Sequence, residues 1–459
     1  MFLLFAMKKI ITGFEVLLVI LFLGSLVSCE DDDEGYIALS DKLYVKAQQS
    51  GKIVDINWTL TNIRNFKNYR VCRSLNKDDY NNSYFGSNSP NYVLTSIEDK
   101  YASNYIDKNA SYLGLNYYWI EALYTYEYED GHTATRIMKS NLDSCKVSDT
   151  RSFNKIPNHV IFNKEENLLG LCFTDQFVMF NYDLDKIIKS IEYSSYSPNH
   201  SYPCFGQYKD NLELYLQGDD GGLKVYDANN MSLITQYPVF FNSGNPSASI
   251  STNNQGIIYF KEWYNNYLYI IDRETSNIST YSNSNYYGSF LAYEDFNNLL
   301  IAFEIDSYPV CYCYTLNSQG LVTSYVSRSV SGYYYPCVKI NSYDNKMYIL
   351  PETKEIDITN FSNGYSSSSL GNLQDITFDV DEIYTAPFGS KTIERIRSNG
   401  STTSYEVPGY PIYVFVDDSQ LIVLFVEEPT TISSVSSSSR RYFKGYIENT
   451  PFGIIKIEL

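Results

Sequence analysis

Lys209-Asp210-Asn211-Leu212 is a polar turn that runs into an apolar strand, and the same phrase returns six more times between residues 142 and 459. Glu165-Glu166-Asn167-Leu168 precedes it. Asn254-Gln255-Gly256-Ile257, Asn297-Asn298-Leu299, Asp344-Asn345-Lys346-Met347, Val380-Asp381-Glu382-Ile383 and Asp418-Ser419-Gln420-Leu421 follow. The apolar anchors 168, 212, 257, 299, 347, 383 and 421 are spaced by 44, 45, 42, 48, 36 and 38 residues. A repeat near forty residues whose apolar runs are short and strand-like implies one four-stranded unit per repeat.

A second marker keeps the same phase. Pro157, Pro203, Pro246, Pro336 and Pro411 each stand shortly before the expected first strand of a repeat, where a residue with no N–H is tolerated, and Gly288 takes that place in the fourth. The third strands also rhyme, as Gly222-Leu223-Lys224-Val225-Tyr226-Asp227 does with Tyr267-Leu268-Tyr269-Ile270-Ile271-Asp272. The expected fold of 142–459 is a seven-bladed β-propeller. The chain ends on Gly453-Ile454-Ile455-Lys456-Ile457-Glu458-Leu459, which matches a third strand, so the last blade lacks an outer one. Residues 142–153 are spare and are expected to supply it, because an open ring would expose a long apolar edge.

Residues 36–141 also alternate with a strand period, in Lys52–Trp58, Tyr69–Arg73 and Tyr118–Ala122, and turn residues separate these runs. The expectation is a β-sandwich, so the whole chain is all-β. Trp58, the run Tyr69-Arg70-Val71-Cys72-Arg73-Ser74, and Tyr105-Ile106-Asp107 followed by Tyr117-Tyr118-Trp119-Ile120-Glu121-Ala122 resemble the second, third, fifth and sixth strands of a fibronectin type III domain. Asn76 to Asn91 departs from that pattern as a long polar insertion. The resemblance implies a spacer or docking module.

Ahead of these domains Lys8 and Lys9 precede the apolar stretch Val16–Leu23, then Leu26-Val27-Ser28-Cys29 and the acidic run Glu30–Glu34. Residues 1–28 have the layout of a secretory signal, and the apolar stretch is shorter than the ~20 residues of a membrane-spanning helix. The tetrad resembles a lipobox, and the acidic run after it is similar to the export signal of Bacteroidetes surface lipoproteins. That resemblance implies lipidation at Cys29, an acidic tether over 29–35, and an outer-membrane protein exposed at the cell surface. It also extends to lipoproteins that carry a fibronectin type III domain before a propeller of YVTN/WD40-like repeats.

The chain carries a net charge of −18; residues 1–28 hold Lys8, Lys9 and Glu15, so the chain without them stands at −19. Such a polyanion repels nucleic acid and acidic glycans unless a local basic patch intervenes, and the Lys and Arg residues are dispersed along the sequence. Nucleic acid is therefore not an expected partner. The eight cysteines include no Cys-x-x-Cys pair, and the three histidines are widely spaced, so no metal or redox site is expected. Buried thiols in strands are the expected state, and Cys311 and Cys313 should face the same way.

The stretches leading from one repeat to the next are aromatic: Tyr193, Tyr196 and Tyr202; Tyr237, Phe240 and Phe241; Tyr281, Tyr286 and Tyr287; Tyr333, Tyr334 and Tyr335; Tyr405 and Tyr410. Tyrosine pairs a flat apolar face with a hydroxyl, which suits sugars, and Asn and Ser add hydrogen-bonding partners. Tyr196, Tyr202, Phe241, Tyr286, Tyr287, Tyr334, Tyr335 and Tyr410 are the candidate ligand contacts. With 46 tyrosines in 459 residues, packing between blades is the competing role for each ring. Asp219-Asp220-Gly221-Gly222 lacks calcium-loop spacing and reads as a turn. No nucleotide-binding or nucleophile-elbow motif is present, and no catalytic residue or cofactor is expected. The leading expectation is a non-catalytic surface lipoprotein that captures carbohydrate. An envelope protein–protein scaffold and a polysaccharide-active enzyme with residues gathered in the central funnel remain open beside it.

Overall fold

The computed structural model describes residues 42–50, 52–82, 92–147, 150–193, 202–218, 222–238, 248–262, 267–282, 289–304, 310–330, 337–361, 365–431, 433 and 443–459. Cys29 and the leader lie outside them, as does most of the Ser/Arg-rich stretch from Thr430 to Arg441. The described chain is nearly all β. It divides into two compact units, one of residues up to Lys108 with Tyr117–Cys145, the other of Asn109–Asn116 with Lys146–Leu459.

In the first unit Val45–Ser50, Ile53–Trp58 and Asn104–Asp107 form one antiparallel sheet. Val93–Ile97, Phe66–Ser74, Leu115–Glu127 and Thr133–Lys139 form a second, with Asp143–Lys146 paired to Leu115–Glu127. Alternation aims Val54, Ile56 and Trp58 inward, all below 10 % exposed. Trp58 meets Tyr69 of the other sheet with ring centroids 5.6 Å apart. Asp107, 2 % exposed, joins the sheets through Arg73 Nη1 at 2.9 Å and the Tyr118 hydroxyl, which donates to it at 2.9 Å. Burial, then the Asp107 charge, pushes the Tyr118 hydroxyl well above its ordinary range.

In the second unit the described strands form seven four-stranded antiparallel sheets, one after another along the chain. The seven quoted turns each join a sheet's first strand to its second. Their composition follows from backbone geometry: Asn167, Lys209, Gly256, Asn298, Asn345 and Asp418 have φ between 44° and 82°. Asn, Asp and Gly enter the left-handed region at least cost. The rhyme in the third strands has a cause as well. Each of Asp227, Asp272 and Asp357 ends a third strand, and its Oδ1 accepts two N–H groups of the following turn at 2.8–3.3 Å.

Every neighbouring pair of sheets shares an apolar core, including the last and the first. Middle strands are consequently covered on both faces. Leu168–Cys172 is buried at every position. Cys311 and Cys313 enter one inter-sheet core while Tyr312 and Tyr314 enter the adjacent one. The arrangement is a propeller-like ring.

The ring is completed by the segment expected to do so. The seventh sheet runs Tyr410–Asp417, Gln420–Val426, Phe452–Glu458 and then Arg151–Phe153. Phe452 pairs with Phe153 and Ile454 with Arg151, and the Phe153 and Phe452 rings stack at 5.0 Å. Only 151–153 of the expected 142–153 serve this edge, because Asp143–Lys146 pairs within the first unit. Pro157 and Pro203 precede their inner strands as expected, but Pro411 lies inside one. The register shifts between Pro411 and Tyr413, and this irregularity accommodates the missing N–H. Pro246, Gly288 and Pro336 lie outside the described residues.

Cys72, Cys145, Cys172, Cys204, Cys311 and Cys313 form no disulfide among the described residues, and all but Cys204 are buried. Among the described residues no helix is long and apolar enough to cross a membrane.

Candidate functional site

The beginnings of the inner strands converge on a cavity of about 290 Å³. All seven sheets line it, through residues such as His159, Cys204, Ile250, Phe290, Val338, Leu373 and Tyr413. An inner strand has its neighbours within the sheet on one side only, so side chains stitch adjacent inner strands together. Ser249 Oγ accepts the Leu291 N–H at 2.7 Å, and Ser251 Oγ the Tyr293 N–H at 2.8 Å. Asp375 Oδ2 accepts the Val414 N–H at 2.9 Å.

Two walls can be distinguished. One is aromatic: His159 sits 4.9 Å from Tyr202 and 6.3 Å from Phe290, edge to face, and Tyr202 is 5.6 Å from Phe290. The other is charged. Asp375 is fully buried, with Lys339 Nζ 3.2 Å and Lys444 Nζ 3.3 Å from its Oδ1. Lys444 Nζ also donates to the carbonyls of Ile412 at 2.7 Å and Gln374 at 3.1 Å, and lies 3.9 Å from the Tyr413 ring centroid. Gln374 Nε2 returns a bond to the Lys444 carbonyl at 3.0 Å.

These contacts set the protonation states. Burial alone would raise the Asp375 carboxyl, but Lys339, Lys444 and the Val414 N–H outweigh it and hold the group below the usual carboxylate range. For His159 the contributions add: burial, then the charges of Lys339 and Lys444, depress its pKa to about 3 against a smaller opposing effect of Asp375. His159 is therefore a neutral imidazole at physiological pH.

Of the candidate ligand contacts, Tyr202 lines the cavity and is 6 % exposed. Tyr410 packs on the core shared by the first and seventh sheets, with Lys391 Nζ 5.1 Å from its ring. Tyr196, Phe241, Tyr286, Tyr287, Tyr334 and Tyr335 lie outside the described residues. Tyr193, Tyr237, Tyr281 and Tyr405 enter inter-sheet cores, so for these four rings packing is the role observed. The sequence reading missed His159, Phe290, Lys339, Lys444 and Asp375. One signal was present: Lys339 stands between Val338 and Ile340 in an inner strand, where a charged residue is unexpected. Among the described residues no cluster of three metal-ligating side chains occurs.

No family model matches this chain, and no curated protein matches it. Among solved structures it is similar to a chain of the crystal structure of the mitotic checkpoint complex. That likeness has 10 % identity and a TM-score of 0.45, and covers 67 % of this chain and 91 % of the other. It is also similar to a streptogramin B lyase structure, at 12 % identity and a TM-score of 0.44, covering 67 % and 94 % of the two chains. Likenesses this distant carry no argument about activity.

Proposed function

We propose that this chain is a non-catalytic binding protein, a fibronectin type III-like domain followed by a seven-bladed propeller, that captures carbohydrate at the mouth of the ring. The observation that carries the reading is the cavity formed by all seven sheets, lined by the aromatic rings of Tyr202 and Phe290 and by the charged and amide groups of Lys339, Lys444 and Gln374. Ligand sites are commonly concave and largely apolar, with a few placed polar groups. Flat rings opposite hydrogen-bonding groups suit a sugar. Strand order supports the first domain, because strands one, two and five form one sheet and four, three, six and seven the other. The Cys29 tetrad and its acidic run support a lipid-anchored, surface-exposed location, as in the Bacteroidetes lipoproteins they resemble.

A glycan-array screen with wild type, Tyr202→Ala and a Tyr334→Ala/Tyr335→Ala pair tests the binding reading. Retention by wild type that falls in the variants supports it; no retention, or retention identical in all three, refutes it. Membrane fractionation of Cys29→Ala tests the anchor, and a variant that stays with the membrane contradicts it.

One observation favours a polysaccharide-active enzyme instead: His159, Lys339 and Lys444 do gather at the funnel. Their chemistry opposes it. Asp375 is buried in its ion pairs, and a histidine titrating near 3 is a weak base at neutral pH. Release of new sugar ends from a polysaccharide panel would establish the enzyme reading.

A further inference from the structure

The first turns of the seven sheets lie at the opposite end of the inner strands from the cavity, and those of three sheets differ from the rest. Residues 164–167, 209–210, 253–256 and 418–419 are all Lys, Glu, Asp, Asn, Gln, Ser or Gly. The turns of the fourth, fifth and sixth sheets, 295–298, 342–345 and 380–381, each set one apolar side chain directly beside an aspartate: Asp295-Phe296, Tyr343-Asp344 and Val380-Asp381. All three side chains face water. Phe296 is 79 % exposed, Tyr343 63 % and Val380 60 %. Turn geometry calls for none of them, since such turns favour Asn, Asp, Gly and Ser. A single exposed apolar residue needs no explanation, but three on consecutive sheets mark a surface with a use.

These tips are held in place. The Phe296 N–H donates to Glu294 Oε1 at 3.1 Å, the Tyr343 N–H to Asn341 Oδ1 at 3.1 Å and the Val380 N–H to Asp379 Oδ1 at 2.8 Å. Side chains also join turn to turn: Asn254 Nδ2 donates to Asp295 Oδ2 at 2.8 Å, and Asn297 Nδ2 to Asn345 Oδ1 at 2.8 Å. The Tyr348 hydroxyl donates to Asp344 Oδ2 at 3.2 Å, while its ring packs 5.3 Å from Phe378 of the sixth sheet. A backbone fixed in advance lowers the ordering cost of binding. The charge beside the tips has one sign. The three turns contain no Lys or Arg, and Lys346, which follows the fifth sheet's turn, pairs with Glu355 at 3.1 Å.

We propose that this edge of the ring is a second binding surface, which docks a segment of another protein that carries apolar side chains next to Lys or Arg. Phe296, Tyr343 and Val380 supply the apolar contact, and Asp295, Asp344 and Asp381 receive the cations. Charge selects this occupant. The aspartates repel an acidic segment, and a second copy of this chain brings a net −18 of the same sign. Val380 offers no flat ring to a sugar, which separates this surface from the aromatic cavity.

The experiment selects a displayed library of short random peptides on the immobilised full chain and measures the enriched peptides by fluorescence anisotropy. Wild type is compared with Phe296→Ser/Tyr343→Ser and with Asp295→Asn/Asp344→Asn/Asp381→Asn. Thermal melting checks that each folds, and side chains this exposed can be exchanged without opening the core. The enriched peptides should combine Phe, Leu or Trp with Lys or Arg, and should bind about tenfold more weakly to the apolar double variant. Binding to the aspartate variant should be about threefold weaker and less sensitive to salt. Enrichment of acidic or apolar-free peptides, no enrichment, or equal binding to wild type and the double variant overturns the proposal. Sedimentation showing self-association of wild type that the double variant abolishes would replace the foreign protein with a second copy. Glycan retention lost in that same variant would replace it with a sugar.

Discussion

Replacing His159 with phenylalanine should flatten the pH dependence of stability between pH 7 and pH 5. The folded chain holds this imidazole neutral, with its pKa pulled from 6.5 to about 3 by burial and by Lys339 and Lys444. The unfolded chain binds the proton near pH 6.5, so as pH falls below that value the unfolded state gains protons that the folded state refuses. The contribution of His159 is thus present above pH 6.5 and is lost progressively down to about pH 3. One pH unit of such a mismatch is worth ~1.4 kcal/mol, so the step from pH 7 to pH 5 removes about 2 kcal/mol. The ring borders the cavity, and water there lowers that figure, so the expected loss is about 1–2 kcal/mol. Phenylalanine keeps the edge-to-face contacts with Tyr202 and Phe290 and cannot titrate. Urea denaturation of wild type and variant at pH 7, 6 and 5 measures the slope. Equal slopes for the two proteins would refute the reasoning.

Asp375→Asn removes the carboxylate that pairs with two largely buried ammonium groups, and should cost about 3–5 kcal/mol at pH 7 by chemical denaturation. The wild-type contribution of this group exists above the ordinary carboxylate pKa and disappears in more acidic solution, as pH falls through its lowered folded value, a window below that of His159. Phe153→Ala should cost about 2–3 kcal/mol, because the half-buried ring forfeits part of a full Phe burial and its stack on Phe452. The described buried thiols should react with a water-soluble thiol reagent only on unfolding, since burial pushes Cys172 up to about 12 and Cys313 up to about 11; fast labelling of the native protein would contradict their placement.

The ring was legible in the sequence because its turns obey local rules. A left-handed residue after the first strand calls for Asn, Asp or Gly, and an aspartate after the third caps its own turn, so both recur with the repeat. Closure by 151–153 was legible from arithmetic, one strand being spare before the first sheet and one missing from the last. The site was not legible in the same way. Lys339, Asp375 and Lys444 come together only when the ring closes, and nothing in their neighbours along the chain marks them as partners. Aromatic residues misled in part, because gaps between sheets need large side chains as much as sugars do. Tyr237 and Tyr281 enter such gaps, and Tyr202 alone among the described candidate contacts reaches the cavity.

The central claim is that the mouth of the ring holds the ligand. A crystal structure of the full chain soaked with the oligosaccharide that binds best tests it directly. The account predicts a sugar ring in the cavity against Tyr202 and Phe290. An oligosaccharide bound elsewhere on the protein, with the cavity holding only water, would contradict it.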